Sequence, residues 1–316
     1  MRKAALLYNP DSGGRGRRRQ HELESVLAVL RGAGVEADLV PTESQDHAGD
    51  ETRRAAASGC DTIFACGGDG TIHNIAQVLA KTPVAVAILP MGTANALAHD
   101  IGLPLNLIDA AQSALSSTPR RIALGCVKYT DSRGNSATKY FVIAAGVGVD
   151  AHLFYKLHSG TKQRMGMAAY YAKAWNLWFT YSMPRFAAEY VETGAEAVRR
   201  AEVTELLSVR IRNFGGVVQE LAPGASLDRD DMRLVLCRSA SRLTYLAYVA
   251  RCVLRRHWAI PGVDLVYGRR VSCEYLPSAA QQQPKIYVEA DGELLGTLPI
   301  EITVVPDALM LLAPPR

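Results

Sequence analysis

Thr62-Ile63-Phe64-Ala65-Cys66-Gly67-Gly68-Asp69-Gly70-Thr71 is the stretch whose reading decides the fold. Its first half is apolar and partly β-branched, the pattern of a strand buried on both faces of a parallel sheet. After the glycines, Ile72, Ile75, Ala76 and Leu79 recur at helical spacing. Glycines between a strand and a helix let the backbone approach a ligand closely, and the helix start offers free N–H groups to an anion. Asp69 is the odd member, because a carboxylate repels phosphate. It is expected to act through a metal ion or water, or on an acceptor. A tight turn with a capping aspartate is the plainer reading; the doubled glycine and Thr71 favour the phosphate loop, where stability asks for no acid.

The flanking segments repeat the pattern. Val84 to Leu89 reads as a buried strand, closed by Pro90-Met91-Gly92-Thr93-Ala94-Asn95 and a short helix. Upstream, Ala4 to Tyr8 reads as the first strand and runs into Asn9-Pro10-Asp11-Ser12-Gly13-Gly14. The start resembles a signal peptide, but its apolar run is too short. Leu23, Val26, Leu27 and Leu30 then mark a helix, Val35 to Val40 a strand ending at Pro41-Thr42, and Ala48–Ala57 and Leu107–Leu115 two more helices. Strands alternating with helices predict an α/β, doubly wound parallel sheet, with ligands at the carboxyl ends of its strands. All three glycine loops fall on that edge. The first, with Arg15 to Arg19 beside it, is either a second phosphate loop or a solvated basic turn, and spacing does not choose.

Beyond Ile122 the periodicity changes. Cys126–Tyr129 and Thr138–Ala145 flank a hairpin turn, and helices are expected over Ala151–His158 and Met165–Tyr181. Strands follow at Phe186–Thr193, Thr204–Asn213, Met232–Cys237, Val263–Tyr267, Arg270–Leu276, Lys285–Ala290 and Ile300–Val305. They predict a mainly antiparallel β-sandwich as a second domain. The expected division is a nucleotide-binding domain over 1–125 and a β-rich substrate domain over 126–306. One helix, Arg242 to His257, carries an apolar stripe with arginines at its ends. It is read either as covering the second domain's sheet, the commoner arrangement, or as lying on an anionic membrane surface.

Composition sets limits. The 316 residues suffice for two cores, and the net charge of +4 suits anionic ligands while being too weak for a dedicated nucleic-acid binder. The six cysteines show no zinc or redox spacing, as expected of a reducing compartment. No apolar run reaches the roughly 20 residues of a membrane helix. These features read as a cytoplasmic protein whose contact with the inner membrane face is peripheral.

Gly67-Gly68-Asp69-Gly70-Thr71, followed by Leu89-Pro90-Met91-Gly92-Thr93-Ala94-Asn95, resembles the catalytic domain of diacylglycerol and sphingosine kinases, above all their soluble bacterial branch. The likeness extends through Asn9-Pro10-Asp11-Ser12-Gly13, Gly146-Val147-Gly148-Val149-Asp150 and Val288-Glu289-Ala290-Asp291-Gly292-Glu293. It implies an ATP- and Mg²⁺-dependent kinase that transfers the γ-phosphoryl group to the hydroxyl of diacylglycerol or a related lipid alcohol. On that resemblance Asn9, Pro10, Asp11, Ser12, Gly13 and Thr42 would hold the nucleotide. So would Gly67, Gly68, Asp69, Gly70, Thr71, Ile72 and His73, with Gly92, Thr93 and Asn95. Asp291 and Glu293 would supply the base, and the C-terminal strand, 307–316, would return to the first domain. Read by itself, Asp291-Gly292 is a turn signal, and two close carboxylates raise one another's pKa.

Two positions depart from the family pattern. Ala123 stands where an aspartate is usual. In the segment that helps hold a structural Mg²⁺, Asp228, Asp230 and Asp231 surround Arg229, which stands where a ligand carboxylate is expected. Arg229 pairing with one of these acids in place of the ion is the alternative. The run Gly-Gly-Asp-Gly-Thr is shared with NAD kinases, so an NAD-type kinase is a second reading. A nucleotide- or lipid-binding protein with impaired catalysis is a third.

Overall fold

The structure, a computed structural model, describes residues 1–10, 16–43, 45–152, 180–216, 219–277 and 284–314. The chain divides into two compact units. One comprises Met1–Leu124, Asn213–Gly216 and Val305–Arg316, and the other Gly125–Arg212 and Val217–Val304.

The first unit runs β1 (Lys3–Tyr8), α1 (Gly16–Gly32), β2 (Glu36–Pro41), α2 (Gln45–Ala57), β3 (Thr62–Gly67), α3 (Asp69–Leu79), β4 (Ala85–Pro90), α4 (Ala96–Asp100) and α5 (Leu107–Ser116). Its strands are parallel in the order β2-β1-β3-β4. Every residue of β3 and β4 is buried, as an apolar run flanked by helices on both faces demands. Helix α1 packs with α5 and α2 with α3. The strand order reverses between β1 and β3, and in such sheets the crevice beyond the carboxyl ends at the reversal takes the ligand.

The second unit takes β5 (Pro119–Thr130) from Gly125 onward. It continues with β6 (Ser136–Phe141), β7 (Ala144–Gly148), β8 (Phe186–Glu192), β9 (Val198–Val203), β10 (Glu205–Val209), β11 (Met232–Cys237), α6 (Arg242–Val253), β12 (Val263–Tyr275), β13 (Tyr287–Ala290) and β14 (Glu293–Thr297). The final strand, β15 (Ile300–Leu312), is shared: Ile300–Thr303 pairs antiparallel with β12, whereas Met310 and Leu311 lie parallel to Ala85 and Val86 of β4. The strand order is β14-β13-β7-β10-β11-β12-β15, with β8 and β9 added at β12 and β6 paired to β5. These pairings are antiparallel, around a core that includes Phe141, Val147, Phe186, Leu206, Leu234 and Val288.

Several expectations change. The strands expected at Val263–Tyr267 and Arg270–Leu276 are one strand, β12, whose register slips between Gly268 and Val271. That irregularity breaks the alternation without breaking the strand. Thr138–Ala145 splits into β6 and the start of β7. Strands β9 and β14 have no counterpart in the sequence reading; among the described residues each pairs with one neighbour, and an edge strand need not show a buried face. The helices expected over Ala151–His158 and Met165–Tyr181 lie almost wholly outside the described residues. The largest correction concerns α6. Its apolar stripe does not cover the sheet: Leu243, Leu246, Val249 and Val253 are exposed, and Tyr248, Arg251 and Cys252 face inward. No described helix is long and apolar enough to cross a membrane.

Candidate functional site

In the first unit, β3 and β4 are adjacent and in register from Thr62 beside Ala85 to Gly67 beside Pro90, so their glycine loops emerge side by side. The loops touch through backbone. A β-carbon on Gly92 would lie 2.4 Å from the Gly68 Cα, a separation only two glycines permit. Asn95 locks the second loop. It sits in the left-handed region at φ 49°, which asparagine tolerates, accepts from the Gly92 N–H at 2.8 Å and donates to the Gly92 carbonyl at 3.0 Å.

Asp69 joins the two. It opens α3, yet its carboxylate caps the other loop's helix: Oδ2 accepts from the Ala96 N–H at 3.1 Å and Oδ1 from the Leu97 N–H at 3.2 Å. The sequence alone shows no structural need for an acid here. The structure supplies one, 27 and 28 residues away.

The other proposed nucleotide positions divide. Gly68, Asp69, Gly70 and Thr71 are part-exposed, and Gly92 and Thr93 exposed, at the sheet's carboxyl edge. Asn9 and Pro10, part-exposed, follow β1 on the same edge, while Asp11, Ser12 and Gly13 lie outside the described residues. Thr42 is buried, its N–H and hydroxyl both bonded to the Tyr8 carbonyl. Ile72 and His73 belong to the core, and Gln77 packs on His73. Their side chains shape the α3 packing rather than the loop surface.

Gly70 offers a clean test of the loop. A β-carbon there would meet nothing within 4 Å. Gly70→Ala is therefore expected to keep or slightly raise the melting temperature, since alanine is the better helix former by up to about 1 kcal/mol. If the loop receives a nucleotide phosphate, the added methyl stands in its path and is expected to raise the KM for the nucleotide about tenfold. Thermal unfolding beside a nucleotide titration checks both; an unchanged KM would speak against a phosphate site at this edge.

In the second unit, Asp291 and Glu293 share the β13–β14 turn. Asp291 adopts φ 48°, and its carboxylate accepts from the N–H groups of Val142 at 2.8 Å, Ile143 at 2.9 Å and Ala144 at 3.1 Å. It anchors the β6–β7 connection. Glu293 instead faces Lys139 at 3.3 Å.

Next to this turn is a cluster that sequence reasoning missed. Asp150, Glu205 and Glu289 bring three carboxyl groups together: a β-carbon on Gly146 would lie 2.9 Å from an oxygen of both Asp150 and Glu289. Glu205 Oε2 accepts from the Asp150 N–H at 3.1 Å, and Glu289 Oε2 from the Gly292 N–H at 2.7 Å. Loss of hydration pushes the Asp150 carboxyl up to about 6. The same burial, with the Asp150 charge adding to it, holds Glu205 and Glu289 well above the ordinary range. The available signal was a lone acid at the head of an apolar run, Thr204-Glu205-Leu206-Leu207.

Each of these carboxyls binds its proton more tightly folded than unfolded, so stability falls as pH rises between the two values. For Asp150 that window runs from 3.8 to about 6. For the glutamates it opens at 4.5 and runs upward. Glu205→Gln is expected to flatten the decline of melting temperature with pH and to stabilise the protein above neutrality. Identical slopes for variant and wild type would contradict the burial of this group.

Asp228, Asp230 and Asp231 do not form a metal cage. Asp231 is buried and bound at both oxygens by Arg229, from Nε at 2.6 Å and Nη2 at 2.7 Å, whereas Asp228 and Asp230 are exposed. The Arg229 guanidinium also lies 3.9 Å over the Tyr267 ring. A divalent ion does not fit a segment whose buried carboxylate already holds a fixed cation. Among the described residues, no group of three or more His, Cys, Asp or Glu is arranged to hold a metal. Ala123 is a buried core residue.

A family model for the diacylglycerol kinase catalytic domain matches residues 3–127, and one for the YegS C-terminal NAD kinase beta sandwich-like domain matches residues 143–313. Diacylglycerol kinase of Bacillus subtilis (strain 168) is 27% identical over 304 residues, covering 95% of this chain and 93% of that protein. Diacylglycerol kinase of Staphylococcus haemolyticus (strain JCSC1435) is 28% identical over 303 residues, covering 95% and 84%. Among solved structures, a diacylglycerol kinase from Bacillus anthracis str. Sterne superposes with a TM-score of 0.70 at 17% identity, over 99% of this chain and 97% of that one. Yeast NADH kinase complexed with NADH gives 0.51 at 10% identity, over 100% and 84%. The last two likenesses are of fold. Sequence matches that begin at residue 3 and end at residue 313 carry more than fold, and the chain belongs to the diacylglycerol kinase catalytic-domain family.

Proposed function

We propose that the protein is an ATP-dependent lipid kinase that phosphorylates the hydroxyl of diacylglycerol or a related lipid alcohol. The observation that carries this reading is the pair of glycine loops on β3 and β4, in backbone contact at Gly68 and Gly92 and tied together by Asp69. Phosphoryl transfer asks chiefly for alignment and neutralisation of charge. Backbone N–H groups at the sheet edge and the start of α3 suit the phosphates of a nucleotide. Magnesium enters with ATP as part of that substrate. The acceptor oxygen forms a bond to the γ-phosphorus as the bond to the ADP oxygen breaks, and the hydroxyl proton passes to a carboxylate. Glu293 is the better candidate for it, since Asp291 is already engaged with three N–H groups.

Incubation with γ-labelled ATP, Mg²⁺ and a panel of lipid alcohols, with NAD as a separate arm, tests the reading. Label in a lipid phosphate is the expected result. Label in NADP alone would favour the NAD-kinase reading, and nucleotide binding without any transfer would favour a binding protein.

A further inference from the structure

Six of the ten exposed large apolar side chains among the described residues fall within one short segment: Leu243, Leu246, Val249, Val253, Leu254 and Trp258. The first four recur every three or four residues and line one face of α6. The helix is held to its unit by the opposite, polar face. The Tyr245 hydroxyl lies 2.8 Å from that of Thr204, Tyr248 donates to the Leu221 carbonyl, and Arg251 is buried over the Tyr248 ring. A stripe left in water this way marks an interaction surface.

Charge selects the occupant. From Met232 to Val263 the chain carries six arginines and no aspartate or glutamate; Arg238 pairs with Asp264 and Arg251 is buried, so the charge beside the stripe is chiefly that of Arg255 and Arg256. Arg255 and Arg256 are exposed directly beyond the helix, between the stripe and Trp258. A second copy packed on this face would set arginines against arginines. An anionic bilayer accepts both features, leucine and valine side chains below the headgroups and guanidinium groups among them, with a tryptophan at the boundary.

We propose that α6 and Trp258 dock the protein on an anionic lipid surface, stripe inward. The inference goes beyond the kinase reading, because docking needs neither nucleotide nor acceptor.

The test is sedimentation of the full chain, without ATP, with vesicles of phosphatidylcholine alone or mixed with phosphatidylglycerol. Binding is expected with the anionic mixture and is weakened by salt. Leu246→Glu, with an unchanged melting temperature showing the fold intact, is expected to lower partitioning at least about tenfold. Arg255→Ala and Arg256→Ala should each lower it about fivefold, on the anionic vesicles only. No binding to either vesicle, or binding indifferent to all three substitutions, overturns the proposal. So does a dimer in solution that Leu246→Glu dissociates, which would identify a second copy as the occupant. Kinase assays in detergent micelles report separately on the catalytic reading.

Discussion

Asp69→Asn is expected to lower both stability and activity, and their ratio reveals what the residue does. The amide retains one oxygen but turns an NH₂ group toward the second of two donors, the N–H groups of Ala96 and Leu97. One charge-assisted bond is lost and a donor is left facing a donor, at a cost of about 1.5–3 kcal/mol. The Gly92 loop is then free to drift from Gly68. Since a misplacement of about 1 Å can cost 100-fold, kcat/KM is expected to fall at least that far. Thermal unfolding and steady-state kinetics on the same preparation provide the check. Lost activity at an unchanged melting temperature would mean that Asp69 acts on the ligand directly and holds no loop. Near wild-type values of both would remove it from the site.

Glu293→Gln should show the opposite signature. Removing a general base typically costs about 100- to 10,000-fold in rate. The structural loss is small, because the Lys139–Glu293 contact is a partly exposed ion pair of the kind worth at most about 1 kcal/mol. Asp291→Asn, on the same turn, should mainly destabilise, since it disturbs the three N–H bonds that shape the β6–β7 connection. If Asp291→Asn instead loses turnover at full stability while Glu293→Gln stays active, the assignment of the base must be exchanged.

These variants also mark where the sequence could be read and where it could not. The strands Thr62–Gly67 and Ala85–Pro90 were plain, because a short, continuous apolar run closed by a glycine turn suits a strand buried on both faces. Strand β9, with Arg199, Arg200 and Glu202 on an edge, carries no hydrophobic period to detect. On α6 the period was visible but its direction was not: spacing identifies a face, and only the tertiary fold says which way it looks. The bidentate Arg229–Asp231 pair was among the anticipated alternatives because its partners are two residues apart. The bonds of Asp69 to Ala96 and Leu97, and the meeting of Asp150, Glu205 and Glu289, depend on strand order and so stayed hidden.

The shared strand β15 makes the order of synthesis matter. A ribosome releases β1 to β4 early, yet the flank of β4 is covered only when Met310 and Leu311 emerge, more than two-thirds of the chain later. Until then β4 presents an apolar edge with unpaired backbone groups, the kind of surface that recruits other chains. Lys81 and Arg121 wait as well, since their partners are the carbonyls of Ala308 and Asp307. The nascent protein thus carries an unfinished sheet through most of its translation. Truncation before residue 305 should accordingly leave material that aggregates, however intact its glycine loops.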